Sequence, residues 1–167
     1  MNESLVVEKL RRDHAVEGFQ CGQIPLDTFL IRYALMAQQA DGSVSYVGSK
    51  DGKIFGYYTL VYGHIDHAGA PARLTKGLAR HPIPLMVLGR LAVDRNWQGL
   101  GMGAGLLRDA MRRTVLAADI GGLRALAAHA KDVQAAAFYA HFGFNASATD
   151  PHHMFVLLKD VRRMLRE

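Results

Sequence analysis

A chain of 167 residues and 18.3 kDa is the size of one domain, and with 50% hydrophobic and 21% charged residues it has the composition of a folded globule, not of a disordered chain. No apolar run approaches the roughly 20 residues of a membrane helix, the opening Met-Asn-Glu-Ser-Leu lacks the basic patch and apolar run of a signal peptide, and the one cysteine, Cys21, excludes an intrachain disulfide and a multi-thiolate metal site. The expectation is a cytoplasmic protein, without membrane contact, whose residues 1–167 form a single domain; its net charge of +5 and pI near 9.6 point toward a polyanionic partner.

Leu5 to Leu10 reads as an opening strand. Pro25 stands where a helix can begin, and Leu26, Phe29, Leu30, Tyr33 and Ala37 give one apolar face up to about Gln39, closed by Asp41-Gly42. Ser43 to Ser49 and Lys53 to Ile65 read as two strands joined by Asp51-Gly52, a hairpin signal because both turn positions favour positive φ. His67 to Pro84 is rich in Gly, Pro and Ala, a long loop or a short irregular helix. Leu85 to Val93 is a nearly continuous apolar run, as a buried central strand requires.

Gly99 to Gly105 is a glycine-rich turn, after which Leu106, Leu107, Ala110, Met111 and Val115 share a helix face. Leu123 to Ala130 is a second buried strand. Asp132 is a candidate N-cap for a helix over Val133 to Phe142, which Gly143 closes. Met154 to Leu158 is a last strand, and Val161 to Leu165 a short tail. This order predicts an α/β chain, a mixed sheet with helices on its faces.

Between Asp66 and Asp94 there is no acidic residue, while Arg73, Lys76, Arg80 and Arg90 fall there with His67 and His81. A solvated basic loop and a phosphate footprint both fit this stretch.

The sharpest local motif is Gln98-Gly99-Leu100-Gly101-Met102-Gly103-Ala104-Gly105, after a buried strand and before a helix. Alternating glycines let backbone approach a ligand, and N–H groups at a helix start attract an anion. The P-loop pattern needs Gly-Lys-Ser/Thr, which is missing, and the dinucleotide pattern does not match this spacing. By itself the motif leaves a phosphate site and a structural tight turn both open. The second motif, Ala136-Ala137-Phe138-Tyr139-Ala140-His141-Phe142-Gly143-Phe144, reads alone as a small helix with an aromatic core face.

Taken together, Leu91-Ala92-Val93-Asp94, the Gln-x-x-Gly-x-Gly turn and the later Ala-x-x-Phe-Tyr-x-x-x-Gly-Phe resemble the GNAT N-acetyltransferases, over most of the chain. The N-terminal segments Gly18-Phe19-Gln20-Cys21-Gly22, Leu26-Asp27-x-Phe29-Leu30 and Ser45-Tyr46-Val47, with Leu88-Gly89-Arg90, are similar to the GNAT toxins of bacterial toxin–antitoxin pairs. Many of those toxins carry acidic residues before the tyrosine, where this chain has Val133, Gln134 and alanines.

The resemblance implies a GNAT fold whose central strands, here Leu85–Val93 and Leu123–Ala130, splay apart to admit the thioester of acetyl-CoA. It implies that Leu91, Ala92 and Val93 and the turn residues Gln98, Gly99, Leu100, Gly101, Met102, Gly103 and Ala104 bind that coenzyme. The implied acceptor is the α-amine of aminoacyl-tRNA, so that translation is blocked until a ribbon-helix-helix antitoxin intervenes; a homodimer is also implied. Tyr139 corresponds to the family's tyrosine. A phenol near pKa 10 is protonated at neutral pH and suited to donate a proton to a thiol of pKa near 8.5, so Tyr139 is the expected general acid. A backbone N–H of Leu91-Ala92-Val93 would polarise the carbonyl.

Arg73, Lys76, Arg80, Arg90 and Arg95 are candidate tRNA contacts, and Arg90 and Arg95, which flank the cofactor strand, could serve the coenzyme instead. No metal is expected, since His64, His67, His152 and His153 share no ligand spacing with a carboxylate or thiolate. Cys21 is expected to have no catalytic role. His129 could bond coenzyme or order water, or simply pack at a strand end. Two rivals remain open: a GNAT enzyme for a protein N-terminus, polyamine or small amine, and a non-enzymatic basic RNA-binding module.

Overall fold

The computed structural model describes residues 5–78 and 81–167. Their strands form one mixed sheet of order β1-β2-β3-β4-β5-β7-β6, and they fall into two compact units, residues 5–61 with 89–110, and the remainder.

In the first unit β1 (Leu5–Lys9), β2 (Val44–Lys50) and β3 (Lys53–Ile65) run antiparallel, with Leu5 opposite Lys50 and Val44 opposite Leu60. The β2–β3 turn is the expected one: Asp51 and Gly52 have φ of 52° and 81°. The ladder has a bulge at Gly48/Ser49, and the Phe55 ring packs so closely on Gly48 that a Cβ there would clash with it.

The helix expected from Pro25 to about Gln39 is in three pieces: α1 (Ile24–Thr28), a π-helical turn (Phe29–Tyr33) and α2 (Ala34–Gln39). The wide turn, where Ala34 N–H donates to the Phe29 carbonyl, leaves Leu30 and Ala34 both buried in a core with Leu10, Phe19, Val47 and Tyr57. The Gln38 amide locks α2 to the strands, donating to the Leu10 carbonyl at 2.9 Å and accepting from Ser45 N–H at 2.9 Å.

In the second unit the start of β4 (Ile83–Val93) pairs in parallel with β5 (Ala125–His129), from Leu85↔Ala125 to Leu88↔Ala128. Strand β7 (His153–Leu157) pairs antiparallel with β5 and with the two-residue β6 (Asn145–Ala146). The core here is Leu74, Ile83, Leu85, Ala125, Ala127, Phe155 and Leu157. Helix α5 (Val133–His141) is capped as expected: Asp132 Oδ1 accepts from Ala135 N–H at 2.8 Å, and Gly143 takes φ 91°.

The region from His67 to Pro84, expected as a long loop or a short irregular helix, holds a 3-10 turn (His67–Gly69) and the short α3 (Ala72–Thr75) before β4 begins at Ile83. Three expectations change. The glycine-rich turn is shorter, since α4 (Met102–Ala118) already starts at Met102 and takes Gly103 and Gly105 into its first turns. The tail is a helix, α6 (Leu158–Arg166), which buries Leu158 and Val161 and carries Asp160 in its first turn and Arg163 and Arg166 in its last, in agreement with the helix dipole. Strand β6 is too short to leave a period in the sequence. Among the described residues no helix is long and apolar enough to cross a membrane.

Candidate active site

In the first unit, β4 ends at Val93, a 3-10 turn covers Arg95–Trp97, and Gln98–Gly101 lead into α4. Gly99 and Gly101 have φ of 78° and 83°, a region that L side chains avoid. A Cβ at either would meet nothing within 4 Å, so space above the turn is open. The first α4 bond of the turn is Gly105 N–H to Gly101 carbonyl, 3.1 Å. The N–H groups of Met102, Gly103 and Ala104 precede it and, as helix-start donors, have no intrahelical acceptor. A 17-residue helix puts partial positive charge behind them. This cradle fits a pyrophosphate without help from a side chain.

The turn is held from below. Asp94 is buried, and its carboxylate accepts from Gln20 and Asn96 N–H groups, both at 3.0 Å. Arg95 N–H donates to the Gln20 carbonyl at 2.8 Å. The Gln98 side-chain amide donates to the carbonyls of Cys21 (2.9 Å) and Val93 (2.8 Å). Gln98 thus braces the turn against the N-terminal loop. Its NH2 group is used by the protein, a role the motif alone did not reveal.

Strand β4 is also fixed at Ala92. A Cβ at Gly56 would stand 2.7 Å from the Ala92 carbonyl and 2.7 Å from Leu106 Cδ1. Only glycine lets β3 come this close to Leu91, Ala92 and Val93. A glycine inside a strand was the available signal, and the sequence reading passed over it.

In the second unit Tyr139 lies on α5 with its ring 5.4 Å from Phe138 and 5.1 Å from Phe144. Burial pushes its phenol up to about 12. The Tyr139 hydroxyl has no hydrogen-bond partner among the described residues, and the side chain as a whole is buried.

His129, the last residue of β5, stacks on His153 at 4.4 Å and contacts Asp150 at 3.3 Å. Burial, and then the neighbouring His129, hold His153 below the ordinary histidine value. No group of three or more His, Cys, Asp or Glu side chains suited to a metal occurs among the described residues. Burial and the Asp27 carboxylate push Cys21 up to about 11, which keeps it a thiol and a poor nucleophile.

The basic candidates separate. The Arg90 guanidinium lies 3.5 Å above the centre of the Phe29 ring, which stacks on Tyr57, so Arg90 belongs to an aromatic stack. Arg95 is exposed beside the glycine turn. Arg73 pairs with Asp160 at 3.0 Å, and Lys76 is exposed just past α3. Arg80 lies outside the described residues. Three further cations near Arg73 and Lys76, namely Arg124, Lys159 and Arg162, were missed because they sit far along the chain.

Residues 41–146 match an acetyltransferase (GNAT) domain. The chain is 45% identical over 150 residues to a tRNA-acetylating toxin of Mycobacterium tuberculosis, with 90% of each chain covered. Its structure is similar to AtaT complexed with acetyl-methionyl-tRNAfMet, at TM-score 0.89, 27% identity and coverage of 97% and 99%. It is also similar to a tyrosine-to-phenylalanine mutant of AtaT bound to the C-terminus of the antitoxin AtaR and acetyl-CoA, at TM-score 0.84, 26% identity and coverage of 98% and 99%. With the family domain matching well over half of its length, this chain belongs to the GNAT acetyltransferases.

Proposed function

We propose that this enzyme transfers an acetyl group from acetyl-CoA to the α-amine of aminoacyl-tRNA and so blocks translation. The observation that carries this reading is the open glycine cradle at the start of α4, joined to 45% identity with a tRNA-acetylating toxin over 90% of both chains. The family domain at 41–146 draws on residues of both units, in agreement with residues 1–167 acting as a single catalytic domain.

Acetyl-CoA supplies the acetyl thioester. The N–H groups of the Leu100–Ala104 segment hold its pyrophosphate, and Gly99 and Gly101 keep side chains away. Leu91, Ala92 and Val93 offer main-chain groups to the acyl arm, and a backbone N–H there polarises the carbonyl. In the reaction a C–N bond forms and the C–S bond breaks; the amine nitrogen loses one proton and the sulfur gains one. An α-amine of pKa near 8 has a neutral fraction at pH 7, so no strong protein base is needed.

Tyr139 provides the proton at sulfur. At about 12 its phenol is fully protonated in the physiological range, which disqualifies it as a base and keeps it a donor. A phenol is a weaker acid than a thiol, so Tyr139 does not stay ionised: it gives its proton to sulfur as the C–S bond breaks and regains one from water, while the amine nitrogen loses its proton to solvent.

This reading includes a cytoplasmic toxin, a homodimer, and a cognate antitoxin of the ribbon-helix-helix type. AtaT bound to the C-terminus of AtaR supports the antitoxin. Incubation of the wild-type enzyme with labelled acetyl-CoA and a panel of charged tRNAs tests the function. Label on at least one aminoacyl-tRNA, resistant to deamination, is the expected result. Label appearing on peptides or polyamines alone would replace this acceptor with another.

A further inference from the structure

In the second unit a cleft of about 500 Å³ is lined by Arg73, Lys76, Arg124, Lys159 and Arg162, the rest of the lining being leucine. Among the described residues no carboxylate lines it. The five cations do different work. Arg124 is part of the frame: its guanidinium donates to the carbonyls of Leu74 (3.0 Å) and Lys76 (2.9 Å) at the end of α3. Its N–H donates to the carbonyl of Pro84 at the start of β4, and its carbonyl accepts from Leu158 N–H at the start of α6. Arg73 is neutralised by Asp160, which also takes Arg163 at 3.0 Å.

Lys76, Lys159 and Arg162 are exposed, and their side chains have no hydrogen-bond or ion-pair partner among the described residues. Lys159 and Arg162 are three residues apart on α6, and exposed Arg166 continues the same helix face four residues on. Side chains at this spacing are about 5–6 Å apart at Cβ, comparable to neighbouring phosphates on a nucleic acid strand. The positive charges form a track that leads out of a rigid cleft. A linear polyanion matches such a track, whereas a single anion would use only its start. Arg124 stands just before β5, and α5 with Tyr139 leaves from the other end of that strand, past His129. Tyr139 is not in the cleft lining.

We infer that this cleft and the α6 face grip RNA phosphates of the substrate's body, away from its acetylated end. The inference rests on the proposed tRNA acceptor for its biological sense, but the binding itself is measurable without acetyl transfer.

The test is anisotropy of fluorescent, uncharged tRNA with wild type and the triple variant Lys76→Gln, Lys159→Gln, Arg162→Gln, between about 50 and 200 mM salt. All three side chains are exposed and outside the catalytic machinery, and melting of the variant checks its fold. Each lost phosphate contact removes about 0.7–0.9 from the slope of log K against log salt, so the slope should fall by about 2–3 and affinity at low salt about tenfold or more. Affinity for acetyl-CoA, read by calorimetry, should stay at the wild-type value. A folded triple variant with unchanged slope overturns the inference and leaves the acceptor assignment standing. Unchanged tRNA binding with lost antitoxin binding also overturns it, since the track would then serve an acidic protein segment. If wild type binds tRNA through this track but acetylates none of the charged tRNAs, the track stands and the proposed acceptor falls.

Discussion

The glycine turn and the basic cleft are the two places proposed here to meet phosphate, and they would do so by opposite means. The turn uses main-chain N–H groups, a helix dipole and the absence of side chains at Gly99 and Gly101. The cleft uses long cationic side chains from α3, the start of β5 and α6. Backbone recognition has fixed geometry and little tolerance of substitution. Side-chain recognition tolerates change at each position and draws its strength from number. A single substitution should therefore abolish binding at the turn and only weaken it at the cleft.

Gly101→Glu is the strongest way to break the comparison. It forces an L side chain into φ 83°, which costs about 1–2 kcal/mol, and aims a carboxylate at an anion site. Acetyl-CoA affinity by calorimetry should fall below detection in a variant that keeps its circular dichroism. An affinity equal to wild type would remove the pyrophosphate from this turn.

Gly56→Ala acts on the support of the turn, not on the ligand. The new Cβ would need room now taken by the Ala92 carbonyl and Leu106 at 2.7 Å. Overpacking of this kind costs typically about 1–3 kcal/mol. Denaturant titration should show that loss, and acetyl-CoA affinity should drop with it as Ala92 and Val93 move. Full stability in the variant would mean that β3 and β4 adjust freely, and that Gly56 does not set the cofactor strand.

The same contrast explains what could be read from the sequence. The Gln98–Gly105 motif is contiguous, so its tight turn into α4 was legible, as were the Asp51-Gly52 hairpin and the Asp132 and Gly143 caps of α5. The braces were not: Gln98 reaches Cys21, and Asp94 reaches Gln20, across 77 and 74 positions. Lys76, Lys159 and Arg162 converge only once β5, β7 and α6 are in place. The acid-free interval between Asp66 and Asp94 drew attention to basic residues there, but the structure ties Arg73 to Asp160 and stacks Arg90 on Phe29. Their true neighbours carry no local pattern. Helix α6 does carry an apolar stripe, Leu158, Val161 and Leu165, at helical spacing, but assigning Leu158 to the preceding strand cut that stripe too short to read as a helix.

The smallest expected effect concerns pH. The substrate α-amine gains reactivity as it deprotonates near pH 8. Tyr139 must keep its proton, and a folded value of about 12, above the ordinary 10, means that it does. The turnover rate should rise through pH 8 and then hold, with no falling limb from the phenol below about pH 11. For stability the sign is also fixed: burial of the neutral phenol costs nothing below pH 10, and destabilises the fold only above it. A falling limb near pH 9 would point to a different proton donor.

The central claim, that Tyr139 delivers the proton to the departing sulfur, is tested most directly by single-turnover acetyl transfer to charged tRNA at saturating acetyl-CoA, with wild type and Tyr139→Phe. The substitution keeps the ring against Phe138 and Phe144 and removes only the hydroxyl. The account predicts a rate loss of about 10² to 10⁴, roughly 3 to 5 kcal/mol of transition-state stabilisation, with acetyl-CoA affinity and melting unchanged. A folded Tyr139→Phe enzyme that transfers acetyl at the wild-type rate would contradict it.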